Sequence, residues 1–319
     1  AYQAAGATVL TTAAEVFAKA EMIVKVKEPQ AVERAMLREG QILFTYLHLA
    51  PDLPQTEDLI KSKAICIAYE TVTDNRGGLP LLAPMSEVAG RMSIQAGARA
   101  LEKSCAGRGM LLGGVPGVEP AKVVIIGGGM VGTNAAQMAV GMGADVVVLD
   151  RSVDVLRRID AQFNGAVKTV YSTVDALEKH VLSADLVIGG VLVPGAAAPK
   201  LVTKDHIKRM KPGSAIVDVA IDQGGCFETS KITNHSEPTF VKHGVTHYCV
   251  PNIASRVART ASYSLSNIFT PILLHMNDLG GAEEMIFTYK WFLKGVYTYR
   301  GSLTNAFMAK KFGLNHKEL

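Results

Sequence analysis

Short apolar runs alternate with helical patterns along the whole chain. Near-continuous runs of Val, Ile and Leu, such as residues 123–126 and 146–149, are typical of strands that are buried on both faces of a parallel sheet. Segments between these runs repeat apolar residues at a helical spacing, which predicts helices that cover the sheet. The alternation therefore predicts an α/β fold.

The individual elements follow from the same pattern. Strands are predicted at residues 22–26, 41–48, 64–70, 123–126, 146–149, 169–171, 186–188 and 215–219. Helices are predicted at residues 58–63 with the turn before them, 86–103, 130–142, 153–163, 174–182, 204–210, 262–275 and 283–293. A first helix is predicted to begin after Thr12, because Glu15 three residues further on completes a capping box.

The composition narrows the class of protein. With 48% hydrophobic and 19% charged residues among 319, the chain has enough apolar material for a large core, which excludes intrinsic disorder. The net charge of +4 comes from scattered basic residues, so no basic stripe indicates nucleic-acid binding. We predict no nucleic-acid partner.

The cysteines and the longest uncharged stretch bear on the compartment. Four cysteines lie far apart without C-x-x-C spacing, which favours reduced thiols over disulfides or a zinc site: Cys66, Cys105, Cys226 and Cys249. Residues 123–144 carry no charge, but glycines and polar residues interrupt them, so we predict a strand, a turn and a helix there and no membrane span. These observations predict a cytoplasmic protein.

A glycine motif follows the predicted strand at residues 123–126. It reads Gly127-Gly128-Gly129-Met130-Val131-Gly132, the G-x-G-x-x-G pattern, and it opens a predicted helix. In such motifs the first Gly allows a tight turn, the second lets the backbone approach a pyrophosphate, and the third lets the helix pack closely. The helix N-terminus then binds the phosphates through its free N–H groups.

Asp150 ends the next predicted strand, eighteen residues after Gly132. A carboxylate at this position accepts hydrogen bonds from the adenosine ribose and repels a 2′-phosphate, which favours NAD over NADP. The neighbouring Arg151 leaves NADP open. The order of strand, turn, helix, strand and Asp predicts a dinucleotide-binding domain.

The reacting residues are less evident from the residues alone. His48 is predicted to end a strand, on the same face as Phe44, where it is either a hydrogen-bonded core residue or a general acid/base. Lys25 and Lys27 are predicted to share one strand face, where lysines are usually just solvated.

Two further sets of residues leave alternatives open. Asp218 and Asp222 follow a strand at the edge where α/β sheets bind ligands, and each is a helix cap, an ion-pair partner or a catalytic group. His243 and His247 have metal-ligand spacing only on a helix, and Gly244 argues against a helix, so no metal is predicted.

Several runs resemble L-alanine dehydrogenase, within the family that also contains the transhydrogenase α subunit. They are KVKEP at 25–29, QILFTYLHLA at 41–50, PLLAPMSEVAG at 80–90, GGVPGV at 113–118, GGVLVP at 189–194, DVAIDQGGC at 218–226 and the stretch 295–314. The resemblance implies two Rossmann-like domains, with an NAD domain (81–260) inserted into a discontinuous substrate domain (1–80 and 261–319). It also implies a homo-oligomer, usually a hexamer, that converts L-alanine, NAD and water to pyruvate, ammonium and NADH.

The resemblance assigns roles to individual residues. It implies that Lys27 binds the substrate carboxylate or carbonyl, that His48 binds the reacting oxygen as the acid/base, and that Asp222 is the second catalytic residue. Five residues after Asp150, where the family has a positively charged residue, this chain has Val155. The implied cofactor contacts are Ser86, Gly127, Gly129, Met130, Val131, Gly132, Asp150, Ser172, Val191, Leu192, Val219, Ala220, Ile221, Asp222, Lys231, Val250, Pro251, Asn252 and Ile253.

The family begins with a further segment of the substrate domain, whose Arg clamps the substrate carboxylate, and this sequence has no counterpart to it. We therefore expect that the substrate domain is N-terminally incomplete. The missing Arg matters for substrate binding, because a Lys does not easily replace a bidentate Arg. Two alternatives remain at this point. One is the NAD-binding part of a transhydrogenase, against which the pair His48 and Asp222 argues. The other is an NAD-binding protein without turnover.

Overall fold

The strands form two separate sheets. The computed structural model describes residues 1–191 and 198–319, and the described chain divides into two units, Ala1–Leu82 with Leu265–Leu319 and Ala83–Ser264. The strands are β1 (Met22–Val24), β2 (Ile42–Thr45), β3 (Ile65–Ala68), β4 (Lys122–Ile126), β5 (Asp145–Asp150), β6 (Val167–Tyr171), β7 (Leu186–Gly189), β8 (Ala215–Asp218), β9 (Thr239–Lys242), β10 (Val245–Tyr248), β11 (Val296–Tyr299) and β12 (Ser302–Leu303).

Helices connect most of the strands. The α-helices are α1 (Ala13–Lys19), α2 (Ala31–Arg34), α3 (Leu53–Ser62), α4 (Ala83–Ala100), α5 (Met130–Gly141), α6 (Val153–Phe163), α7 (Val174–Ser183), α8 (Lys204–Arg209), α9 (Ala258–Asp278), α10 (Ala282–Thr288), α11 (Lys290–Leu293) and α12 (Ala306–Phe312). Short 3₁₀ helices lie at Gln3–Ala5, Tyr69–Thr71, Lys103–Cys105, Val219–Gln223 and Ile253–Val257. The predicted capping box is confirmed, since the Thr12 hydroxyl accepts from the Glu15 N–H and the Glu15 carboxylate accepts from the Thr12 N–H.

The described strands of the larger unit form a sheet in the order β6-β5-β4-β7-β8-β10-β9. Each neighbouring pair from β6 to β10 is parallel, and only β9 runs antiparallel. The order reverses direction at β4, which is the doubly wound arrangement in which ligands bind beyond the carboxyl ends of the strands.

β4 shows why this sheet is buried. Val123 and Ile125 pack into a core cluster with the α4 and α5 side, whereas Val124 and Ile126 pack into a second cluster with α7 and α8. All four side chains are almost fully buried, so both faces of the strand are covered. This explains the unbroken apolar run, because a strand covered on only one face would alternate with polar residues.

The smaller unit contains the sheet β1-β2-β3-β11-β12 among its described strands. The first three strands are parallel, and β11 pairs antiparallel to β3 although more than two hundred residues separate them in the chain. On one face Leu43 and Cys66 pack against Leu59 of α3. On the other face Phe44 makes an edge contact with Tyr69, at 4.4 Å between ring centroids.

The α/β class and the parallel strands are confirmed, but several element boundaries differ from the prediction. β2 ends at Thr45 and does not continue to His48, whose φ of 44° lies in the left-handed region and cannot extend a strand. β1 ends at Val24, so Lys25 and Lys27 do not share a strand face. The predicted helix at 283–293 is two helices, with Tyr289 between them.

The uncharged stretch at 123–144 is a strand, a turn and a helix, as predicted. Across the described residues, none of the helices combines the length and the apolar character that a bilayer crossing needs.

Candidate active site

The glycine turn after β4 has the geometry that the motif predicts. Gly127 has a φ of 97°, which glycine adopts without strain, and α5 begins three residues later at Met130. A Cβ on Gly132 would lie 1.8 Å from the Gly127 carbonyl oxygen, so only glycine fits there. A Cβ on Gly129 would meet nothing within 4 Å, which leaves open space at the start of α5.

This open space is where a pyrophosphate fits. The first backbone N–H groups of α5 have no partner within the helix, because α-helical bonding begins with the Thr133 N–H donating to Gly129. N–H groups at a helix N-terminus bind phosphate oxygens. The turn therefore fits the dinucleotide that the sequence predicts.

Asp150 lies beside this turn. Its Oδ2 atom accepts a hydrogen bond from the Gly128 N–H at 2.7 Å, and its Oδ1 atom accepts from the Ser152 N–H at 2.8 Å. The Arg158 guanidinium donates to the carbonyl oxygen of the same Gly128 at 2.8 Å. The sequence did not single out Arg158, although an arginine facing the glycine turn from the next helix is recognisable once α6 is placed.

Other predicted cofactor residues follow the carboxyl ends of neighbouring parallel strands, so the sheet brings them to one edge. Ser172 follows β6, Val191 follows β7, the group 219–222 follows β8, and the group 250–253 follows β10. Leu192 lies outside the described residues. Four side chains of these groups are buried, so only their backbone atoms are available to a ligand: Ala220, Ile221, Val250 and Ile253.

Two predicted cofactor residues lie away from the strand ends. Ser86 lies in the first turn of α4, one turn before Gly90. A Cβ on Gly90 would lie 2.3 Å from the Val131 carbonyl oxygen, so this part of α4 packs closely against the start of α5. Lys231 is exposed in the segment between β8 and β9.

The two aspartates after β8 have different surroundings. The Asp218 carboxylate is buried and accepts hydrogen bonds from the Ser230 hydroxyl and the Cys226 N–H, so it closes the loop that follows. Asp222 is exposed on the 3₁₀ helix, and its carboxylate accepts from the Asn252 N–H at 3.0 Å. Asp222 is thus the aspartate of this pair that is accessible to a ligand.

Three polar residues follow the three adjacent parallel strands of the smaller unit. Lys27 lies three residues after β1, His48 three residues after β2, and Glu70 two residues after β3. The strands pair in register, with Val24 opposite Phe44 and Thr45 opposite Ala68, so these residues lie at one edge of the sheet.

Two carboxylates fix His48. The Glu28 Oε1 atom lies 2.5 Å from Nδ1 of the His48 ring, and the Glu70 carboxylate accepts the backbone N–H groups of Leu47 and His48. Lys27 pairs with the same Glu28 at 3.2 Å, whereas Lys25 pairs with Glu33 of α2. The two lysines therefore have different partners.

Electrostatics around the ring favour its charged form. Burial lowers the pKa of His48, but the Glu28 hydrogen bond and the charges of Glu70 and Glu28 outweigh burial and leave that pKa above its ordinary value. Burial raises the pKa of Glu28, yet the His48 hydrogen bond and the Lys27 charge bring it down to about 2. Glu28 is therefore ionised throughout the neutral range.

Sequence reasoning did not identify Glu28 and Glu70 as partners of His48. Their positions could have indicated this, because Glu28 follows β1 and Glu70 follows β3, and the carboxyl ends of parallel strands lie at one edge of the sheet. The local sequence did not reveal this common partner, since 20 and 22 residues of chain separate them from His48.

The histidines with metal-ligand spacing lie on a hairpin rather than a helix. His243 has a φ of 54° between β9 and β10, and His247 is buried on β10, where its Nε2 atom shares a hydrogen bond with the Thr229 hydroxyl. Burial lowers the pKa of His247 to about 4, so it is neutral. Among the described residues, no three or more His, Cys, Asp or Glu side chains are grouped as a metal site.

Comparisons with known proteins agree over both units. Residues 1–89 match the sequence family described as Alanine dehydrogenase/PNT, N-terminal domain, and residues 93–306 match Alanine dehydrogenase/PNT, C-terminal domain. The alanine dehydrogenase of Halomonas elongata is 55% identical over 317 residues, which cover 99% of this chain and 85% of that protein. That of Methanococcus maripaludis is 54% identical over 314 residues, covering 98% and 84%.

Solved structures give the same result. An L-alanine dehydrogenase structure superposes with a TM-score of 0.90 at 46% identity, covering 98% of this chain and 86% of that one. A transhydrogenase from Sinorhizobium meliloti has a TM-score of 0.76 at 23% identity, covering 96% and 85%, and shares the fold. With both domains matched and identities above 50% over nearly its whole length, the chain belongs to the alanine dehydrogenase/PNT family.

Proposed function

We propose that the protein is an NAD-dependent alanine dehydrogenase. It converts L-alanine, NAD and water to pyruvate, ammonium and NADH, and it runs the reductive amination of pyruvate in reverse. Relatives named alanine dehydrogenase, at 54–55% identity over almost the whole chain, support this activity. The observation that carries it within this molecule is the arrangement of Lys27, Glu28 and His48 at the edge of the smaller sheet.

In this proposal, one part of the chain binds the cofactor and the other binds the substrate. Residues 81–260 bind NAD, and residues 1–80 with 261–319 bind the amino acid. In the NAD-binding part, the backbone N–H groups of the first turn of α5 hold the pyrophosphate, and Asp150 accepts hydrogen bonds from the adenosine ribose. The other predicted cofactor residues, from Ser86 to Ile253, complete this set.

When bound, NAD supplies the hydride acceptor. The chain's own residues bind the substrate and move protons. Lys27 places its ammonium beside the substrate carboxylate or carbonyl oxygen, where its positive charge attracts that oxygen. His48 accepts a proton from water as it adds to the reacting carbon, and it returns a proton to the oxygen in the reverse direction. Asp222 is the second catalytic group, acting at the amine.

An absorbance assay tests this function directly. The full-length protein should form NADH when it is supplied with NAD and L-alanine, and it should consume NADH with pyruvate and ammonium. D-alanine at the same concentration is the control for a shaped amino-acid site. Formation of NADPH from NADH and NADP in the absence of alanine or pyruvate would instead indicate hydride exchange between nucleotides and would contradict the proposal. NADH and NADPH absorb alike, so this reaction is measured by separating the two nucleotides.

Assembly and compartment are proposed on the same basis. We expect a homohexamer, in line with the resemblance to the family, and a cytoplasmic location. The four cysteines are free thiols, three of them buried, which suits a reducing compartment. Sedimentation of the purified protein measures the assembly.

A further inference from the structure

His48 is fixed at both its backbone and its ring. Its N–H donates to the Glu70 carboxylate at 2.6 Å, and its ring stacks on Tyr46 with centroids 5.8 Å apart and planes inclined by 18°. The Tyr46 hydroxyl in turn donates to the Leu81 carbonyl oxygen at 2.6 Å. These contacts locate the ring, but none of them reaches its nitrogen atoms.

Glu28 supplies that contact. Its carboxylate lies 2.5 Å from Nδ1, and within the described residues Nε2 has no hydrogen-bond partner. Of the groups around His48, Glu28 is therefore the one that can select the ring's tautomer. A carboxylate on Nδ1 keeps a proton there and leaves Nε2 as the nitrogen that gains or loses a proton.

We propose that Glu28 is the positioning residue for His48: its carboxylate holds Nδ1 so that Nε2 serves as the acid/base in alanine oxidation. This rests on the proposed function, because it assigns a helper to the histidine of that reaction. Glu28 itself touches no reacting atom. It acts through His48 and, by its second pairing, also orients Lys27.

The charges that face the ring are Glu28, Glu70 and Lys27. Both carboxylates favour the imidazolium and Lys27 opposes it, so removing the Glu28 charge should lower the pKa of His48. In alanine oxidation His48 must be unprotonated to accept a proton, which places an acid limb in the pH profile of kcat/KM. Loss of Glu28 therefore moves that limb to lower pH while lowering the rate.

Glu28→Gln is the test variant, because it keeps the size of the side chain and removes its charge. The matched control is Glu33→Gln, which removes the carboxylate paired with Lys25 and does not contact His48. We expect the acid limb of kcat/KM for L-alanine to move down by about one pH unit in Glu28→Gln, with kcat reduced by about tenfold or more. Glu33→Gln should retain the parent profile, and an acid limb at the same pH in Glu28→Gln and the parent would overturn the proposal.

Glu28→Asp separates charge from contact. The shorter side chain keeps the negative charge near the ring but withdraws it from Nδ1. A positioning role predicts that kcat stays low in Glu28→Asp while the acid limb lies close to that of the parent. Parent-like kcat in Glu28→Asp would contradict positioning, since charge alone would then suffice.

Thermal unfolding of the cofactor-free protein tests the pair without any turnover. The folded pKa of His48 is raised, so its stabilisation by Glu28 is present below the ordinary value of 6.5 and is lost as the pH rises through the raised value. Glu28, with its pKa near 2, stays ionised across this window. The difference in Tm between the parent and Glu28→Gln should thus be larger at about pH 5.5 than at about pH 8.5.

Burial raises the pKa of Glu33, but the Lys25 and Gln30 hydrogen bonds outweigh burial and leave that pKa below its ordinary value. The Glu33 carboxylate therefore stays ionised over that range, and the control variant should show a pH-independent difference. A pH-independent difference for Glu28→Gln as well would overturn the pairing.

The experiments also distinguish failure of the proposed function from failure of the role of Glu28. If His48→Gln retains alanine turnover, the assignment of His48 under the proposed function fails even where the pH-dependent unfolding of Glu28→Gln is found. If His48→Gln is inactive but the Glu28→Gln profile does not move, only the role of Glu28 fails.

Discussion

The Asp150 carboxylate accepts a hydrogen bond of 2.7 Å from the backbone N–H of Gly128, so the acidic end of β5 is tied to the glycine turn after β4. Asp150, which we propose binds the adenosine ribose, therefore also supports the turn that we propose binds the pyrophosphate. A substitution at either residue should weaken cofactor binding. Comparing NADH with NADPH distinguishes a lost ribose contact from a disturbed turn.

Asp150→Ala should weaken NADH binding by about tenfold or more, the range for a lost hydrogen bond to a charged group. NADPH binding should weaken less, because the variant also removes a negative charge that repels the 2′-phosphate. Fluorescence titration with both nucleotides measures this. Asp154→Ala, an exposed carboxylate paired with Arg157, is the control. Equal losses for the two nucleotides would show that Asp150 only supports the turn.

Arg158→Ala should weaken NADH binding several-fold. Its guanidinium donates to the carbonyl oxygen of Gly128 and so supports the same turn as Asp150. Arg157→Ala is matched to it, because Arg157 is the preceding residue of α6 and pairs with the exposed Asp154. Fluorescence titration of both variants with NADH measures the difference. Parent-like affinity in Arg158→Ala would remove Arg158 from the binding turn.

Gly132→Ala and Gly129→Ala should fail in different ways. A Cβ at residue 132 would collide with the Gly127 carbonyl at 1.8 Å, so we expect a loss of stability on the order of 3 kcal/mol. A Cβ at residue 129 meets open space, so Gly129→Ala should keep the parent Tm but bind NADH more weakly. Thermal unfolding and NADH titration of both variants test this. A parent-like Tm for Gly132→Ala would contradict the geometry of the turn.

His48→Ala and Asp222→Ala should each lower alanine turnover by at least about a hundredfold, the low end for acid–base groups. For His48→Ala, NADH affinity should stay near that of the parent, since His48 belongs to the unit that is not proposed to bind NAD. Steady-state kinetics with NADH titration distinguish lost catalysis from lost binding. The catalytic assignment does not survive if both variants keep their turnover.

Prediction from sequence was most accurate where the structure depends on neighbouring residues. The capping box at Thr12 needs only Glu15 three residues later, and the glycine turn needs only six consecutive residues. β11 was not predicted, although its Val, Tyr and Thr residues favour a strand, because a run of four residues does not show which strand it pairs with. β11 becomes a strand by pairing with β3, whose partner residues are more than two hundred positions away.

His48 is a residue whose local sequence pattern and tertiary contacts favour different backbone structures. Its apolar run predicted a strand through residue 48, but the strand ends at Thr45, and His48 takes a left-handed backbone. The Glu70 carboxylate accepts the N–H groups that this turn exposes, which stabilises a conformation that the residue itself disfavours. No local pattern specifies that contact.

The sequence by itself determined the α/β class, the glycine turn and the acidic residue that follows it, because periodicity and short-range spacing control local backbone structure. The tertiary structure decided the partners of the polar residues. Parallel strands bring Lys27, His48 and Glu70 to one edge and set Glu28 on the imidazole, although they are separated along the chain. The reason is physical: a carboxylate changes the charge and orientation of a histidine only at contact distance, and contacts across a sheet depend on strand order and register.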